Sequence, residues 1–231
     1  MRVGWVQEFE AAAERRRSAG DPDWARGACL DAAVAASVQR FQVGESGDGR
    51  NLIAKAEAGG DADYAAAVRL FVAEEQNHAR LLGELLAAAN VPTIRGHWSD
   101  TVFVRLRRAL GLRLELMVLL IAEVIALRYY RALRDGATDH LTADVAGRIL
   151  ADEERHVPFH CLRLRAAFAE TPGPVRALVT GCWRVLLLGT AITVAADHGR
   201  ALRVLGVSRR AFVAGVLRGF SAAVSGVTAP A

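Results

Sequence analysis

The chain has 231 residues, of which 52% are hydrophobic and only 6% aromatic, with six prolines and a net charge of +4. That length holds one sizeable core and demands no second domain, so residues 1–231 are read as a single domain. The Ala- and Leu-rich, Pro-poor composition favours helix throughout, and the expected fold class is all-α.

Three cysteines, Cys29, Cys161 and Cys182, show no CxxC spacing. This argues against a disulfide framework or a four-cysteine metal site and fits a reducing, cytoplasmic setting. Arginines are spread along the chain, and the longest basic run, Arg15-Arg16-Arg17, falls in an amphipathic segment. It reads as a solvated helix face, so nucleic acid is not the expected partner. Glu8, Glu10 and Glu14 stand where a signal peptide needs its apolar stretch, and uncharged runs such as 185–196 reach 12 residues. Such runs are too short to span a bilayer, so no membrane span is expected.

Helical periodicity and capping signals divide the chain into helices. An opening helix over 6–18 ends at Gly20. A long helix follows over 24–57, provided that "GESGDG" at 44–49 does not break it. Gly59-Gly60 is a turn, and Asp61 or Asp63 caps a second long helix reaching 89. Residues 90–111 form an irregular crossover with the amphipathic piece "TVFVRLRRAL". A third long helix occupies 112–134 and a fourth 141–170, with Pro158 expected to kink it. After "TPGP", an apolar helix over 175–205 and a last one over 208–224 pack on the bundle as accessory helices within 174–225.

The second and fourth long helices each contain Glu-x-x-His: "EQNH", Glu75 to His78, and "EERH", Glu153 to His156. Residues three apart share a helix face, so a carboxylate and an imidazole can grip one metal. One copy is weak evidence among 13 glutamates. A shift of 78 residues, however, superposes the two copies and also carries Glu45 onto Glu123, Glu74 onto Asp152 and Arg50 onto Arg128. Each hairpin climbs about 15 residues and returns about 15, roughly 22 Å each way, which sets Glu45 level with Glu75 and Glu123 level with Glu153. Coincidence is a poor explanation for so many matches at one offset. The alignment makes "GESGDG" helical at a cost of about 1 kcal/mol per glycine, with a π-bulge or space beside a metal as the reason for the glycines. The alternative is a loop with Glu45 exposed.

These six residues resemble the pattern of the ferritin-like di-iron carboxylate proteins: one Glu from each of two helices and Glu-x-x-His from each of the other two. The resemblance covers roughly 24–170. "DEERH", 152–156, is similar to the Asp-Glu-x-Arg-His signature of bacterial multicomponent monooxygenase hydroxylases. It implies a four-helix bundle of two hairpins with a crossover, holding two Fe ions or an Mn/Fe pair through Glu45, Glu75, His78, Glu123, Glu153 and His156. Glu75 and Glu153 would be the bridging carboxylates. It also implies that Glu74 and Asp152 accept from the outer histidine nitrogens across the bundle, with Arg50 and Arg128 neutralising those acids. His160, one turn beyond His156, would be an extra ligand or proton donor. Tyr130, seven residues after Glu123, lies about two turns off and suits packing better than redox work. His97, His140 and His198 fit no pattern and are expected at the surface. The inward positions Phe41, Leu52, Phe71, Val72, Leu82, Leu119, Leu120, Ile149 and Leu150 would form an apolar shell.

The function implied is a dioxygen-activating oxidase or oxygenase, with O2 as co-substrate, a small apolar organic substrate and an external electron donor. The C-terminal helices would wall a substrate channel or form a homodimer surface. The alternatives are a ferroxidase or metal-binding protein without organic substrate, and a metal-free helical module that binds RNA through its arginines.

Overall fold

The computed structural model describes residues 4–98, 102, 104–105 and 111–228, and the regular structure among them is helical. α1 spans Trp5–Ala19, and a single 3₁₀ turn follows at Trp24–Arg26 before α2, Ala32–Glu45. The first long helix therefore starts eight residues later than expected. Gly27 adopts φ +67°, which takes the chain off a helical path at no side-chain cost. Asp31 then starts α2 by accepting the Ala33 N–H at 2.7 Å.

α3 spans Arg50–Ala58, and α4, Ala62–Ala88, is capped by Asp61, which accepts the Tyr64 N–H at 3.0 Å. Of the 44–49 segment, Gly44 and Glu45 finish α2 and residues 46–49 break the chain before α3, contrary to the continuous helix expected. Ser46 closes α2, its backbone N–H and hydroxyl both donating to the Val43 carbonyl at 3.2 and 2.7 Å. Gly49 takes φ +63° and lies so close to α4 that a β-carbon there would stand 2.5 Å from the Val72 methyls. Yet the break does not expose the acid: Glu45, the last residue of α2, is 7% exposed.

α5, Leu112–Gly136, and α6, His140–Ala169, form the second hairpin, with Asp139 capping α6 through the Thr142 N–H at 2.8 Å. α6 remains a single helix through Pro158. The amphipathic piece expected at 101–110 lies mostly outside the described residues. The apolar stretch expected as one helix divides at His198 into α7, Gly173–Asp197, and α8, Gly199–Val204, and α9 spans Arg209–Thr228.

α2 and α3 pack on α4, α5 packs on α6, and the two pairs meet through α4 with α6 and α3 with α5. α1 lies along α4, while α9 covers α5, α6 and α7. One apolar core runs without interruption from Phe9 to Val227. Eight of the nine expected inward positions are buried, and Phe41 is half-buried, stacked 3.6 Å from the Tyr129 ring. α7 is long and apolar enough, by length and composition, to cross a membrane. Counting uncharged runs missed this because Arg176 and Arg184 interrupt them. Its inner face nevertheless belongs to the protein: Trp183, Leu187, Ala191 and Ala195 are buried, and Trp183 Nε1 donates to the Met117 carbonyl at 2.8 Å.

Candidate metal centre

The two hairpins bring the six aligned residues together. Glu45 comes from the end of α2, Glu75 and His78 from α4, Glu123 from α5, and Glu153 and His156 from α6. Their donor atoms form two overlapping groups, Glu45, Glu75, His78 and Glu153, and Glu75, Glu123, Glu153 and His156, each with its donors within 4.8 Å of one another. Glu75 and Glu153 belong to both groups.

Each imidazole turns its Nδ1 toward carboxylates. His78 Nδ1 lies 3.4 Å from Glu153 Oε1, 3.7 Å from Glu75 Oε1 and 3.9 Å from Glu45 Oε2. His156 Nδ1 lies 3.2 Å from Glu75 Oε1, 3.3 Å from Glu123 Oε2 and 3.5 Å from Glu153 Oε2. Both Nδ1 atoms, with Glu75 Oε1 and Glu153 Oε2, are sealed from solvent without a hydrogen-bond partner. Orphaned buried polar atoms are costly. Here they converge, and their imidazole and carboxylate chemistry suits a divalent transition metal. This buried group could hold a metal ion. The Glu75 side chain keeps 22% exposure even though its Oε1 is sealed.

The outer nitrogens are held crosswise. His78 Nε2 pairs with Asp152 Oδ2 at 3.2 Å, and His156 Nε2 with Glu74 Oε2 at 3.0 Å, so each hairpin's acid holds the other's imidazole. Donation from Nε2–H leaves the Nδ1 lone pair facing inward. Arg50 and Arg128 do not neutralise these acids, contrary to the expectation from the repeat. Arg50 is solvent-exposed beside Asp48, and the Arg128 guanidinium lies against Gly215 of α9. The cations are Arg16 and Arg155 instead. Arg16 Nη1 donates to Glu74 Oε1 at 2.5 Å and to Asp152 Oδ1 at 2.9 Å, and Arg155 Nη2 donates to Glu74 Oε1 at 3.2 Å and to Asp152 Oδ1. Arg155 sits inside "EERH" and was available as a signal. Arg16, in the run read as a solvated face, becomes visible only when α1 docks.

Electrostatics follow from four carboxylates crowded together within the helices. Burial, then the Glu45 and Glu123 charges, push the Glu75 carboxyl well above its ordinary range. Burial and the Glu123 charge raise Glu153 to about 7. Burial works against the Glu123 charge as well, but His156 and His160 beside it outweigh that and hold it low. Burial disfavours charge on His78 and His156, but the surrounding carboxylates outweigh it and raise both well above the usual imidazole value. Like charges this close favour the uptake of protons by some of the group.

His160 is fully buried, its Nε2 3.6 Å from Glu123 Oε1 and its ring edge-on to Phe71. Tyr130 is closer to the centre than its spacing from Glu123 suggested. It reaches across to α2, and its hydroxyl donates to Glu45 Oε1 at 2.6 Å. His198, expected at the surface, is buried with Nδ1 2.7 Å from Ser37 Oγ, which also meets Tyr129 Oη. A fully buried Glu115, held by Lys55 Nζ at 2.7 Å and Asn51 Nδ2 at 3.0 Å, ties α3 to α5 and carried no sequence signal. A scan against protein-family models matches none, and a search of curated proteins finds no relative.

Proposed function

We propose that this chain is a ferritin-like, non-haem di-iron or Mn/Fe oxidase or oxygenase that activates dioxygen and acts on a small apolar organic substrate in the cytoplasm. The observation that carries the reading is the pair of inward, partnerless Nδ1 atoms facing two carboxylates common to both donor groups. Glu45 and His78 would hold one ion, Glu123 and His156 the other, and Glu75 and Glu153 would be shared. Bound there, the ions would supply electrons to dioxygen, replenished by an external donor. Four carboxylates match the four positive charges of two divalent ions.

The chain's own groups account for the rest. Asp152 and Glu74 hold the Nε2 protons and fix both imidazoles. Tyr130 Oη fixes the Glu45 carboxylate by donating to it. Phe71 packs edge-on against the His156 and His160 rings, and Leu82, Leu120 and Ile149 are buried in the same core; an apolar surround of this kind limits water and protects oxidising chemistry.

A second reading, a ferroxidase or metal-binding protein without organic substrate, is favoured by one observation. Among the described residues, a groove beside Leu188 and a small cavity beside Cys29 both lie away from the six donors. Anaerobic loading with Fe(II), followed by metal analysis and oxygen uptake, tests the proposal. About two irons per chain and oxygen consumption on exposure are expected. No bound metal removes both readings, a single metal removes the first, and oxygen uptake that no apolar substrate or added reductant accelerates favours the second.

A further inference from the structure

α7 presents an apolar face to solvent. Leu178, Val185 and Ile192 are 68%, 72% and 53% exposed. Their seven-residue spacing lines them along one stripe, turned away from the buried Trp183 and Leu187. Only 17% of the most apolar stretch of this helix is buried. Between α7 and α9, a groove of about 240 Å³ is lined by Val185, Leu188, Leu217 and Phe220, with Arg184 in its wall. An exposed apolar surface of this extent marks an interaction site.

The charge distribution selects the occupant. From residue 173 onward the chain has seven arginines and one acid, Asp197, a net +6, whereas the whole chain is +4 and residues 1–172 are therefore −2. Asp197 is already engaged by Arg40 at 3.0 Å. Arg184 and Arg218 are both exposed, one in the groove wall and the other next in sequence to Leu217. A second copy suits this face poorly: residue 185 is the midpoint of α7, so a two-fold pairing about its centre would set Arg184 against its own counterpart. A spanning arrangement would strip Trp183 of its bond to Met117 and pull four buried side chains from the core. A surface carrying both negative charge and an apolar interior satisfies the stripe and the arginines together.

We propose that α7 and the adjoining edge of α9 dock the protein on an anionic lipid surface, with the apolar stripe entering the acyl boundary and Arg184 and Arg218 pairing with headgroup phosphates. The docking is peripheral, because the inner face of α7 stays on the protein. It stands apart from the metal reading, since none of its residues is a donor or holds one.

Co-sedimentation of the full chain with vesicles tests it, using equimolar phosphatidylcholine and phosphatidylglycerol in one arm and phosphatidylcholine alone in the other. Binding to the anionic vesicles that weakens with added salt is expected. Val185→Glu and Arg184→Glu should each weaken it by about tenfold, while circular dichroism shows unchanged helicity and melting, as both side chains are exposed. No sedimentation with either vesicle overturns the proposal, as does equal binding to both. A dimer in size-exclusion chromatography that Val185→Glu converts to monomer also overturns it, by assigning the face to a second copy.

Discussion

Asp152 on α6 accepts from His78 Nε2 on α4 at 3.2 Å while its other oxygen is held by Arg16 of α1 at 2.9 Å. One carboxylate therefore joins three helices and sets the direction in which an imidazole offers its lone pair. Burial opposes its charge, yet the bond to His78, that neighbour's charge, and Arg16 and Arg155 hold it well below the ordinary carboxylate range. Asp152→Asn and Glu74→Gln should keep the fold but lose the charge that fixes each histidine. Metal affinity, read by competition with a chromophoric chelator, should fall by about 10- to 100-fold in each.

Arg16→Ala should lower stability by about 1–3 kcal/mol, because two charge-assisted bonds to buried acids are lost while Arg155 remains. Urea unfolding measures this. Limited proteolysis should find α1 released before the rest of the chain, since this contact ties α1 to both α4 and α6.

The break at 46–49 supplies an internal comparison. Gly49→Ala places a β-carbon at positive φ and against Val72, and should cost about 2–3 kcal/mol. Gly47 has open space around it and no positive φ, so Gly47→Ala should stay within about 1 kcal/mol of wild type. Equal destabilisation by both changes would contradict the geometry described for this segment.

Buried His198 makes stability depend on pH in a stated direction. Burial lowers its pKa to about 4, with the Asp197 charge opposing and Arg40 and His97 adding slightly. Between pH 6.5 and 4 the unfolded imidazole takes up a proton that the folded one refuses. Stability from this group is full above pH 6.5 and is lost as pH falls toward 4. At 1.36 kcal/mol per unit, wild type should lose roughly 3 kcal/mol more than His198→Asn across that window. Chemical denaturation of both proteins at several pH values checks the difference.

The clustering of the six residues was legible because a repeat at one offset carries its own geometry: two hairpins of equal arm length put matching residues at matching depth. That argument survived the wrong assignment of 44–49, since Glu45 needs only to close α2 at the right level and not to continue it. The same offset failed for Arg50 and Arg128. Arg50 follows the break and stands in solvent beside Asp48, and Arg128 points to α9, an element outside the repeat. Arg16 could not be placed because its partners lie 58 and 136 residues away, and nothing local distinguishes it from Arg15 or Arg17. His198 and Glu115 were missed for the same reason: a polar residue shows its burial only through partners from remote helices.

Because each hairpin lends an acid to the other's imidazole, neither half can be assembled correctly by itself. Sliding one pair of helices along the other by a single residue would sever both links together and strip both imidazoles of the partners that aim them. The reciprocal exchange thus acts as a registration mark for the whole bundle, rewarding one alignment of the halves and penalising its neighbours.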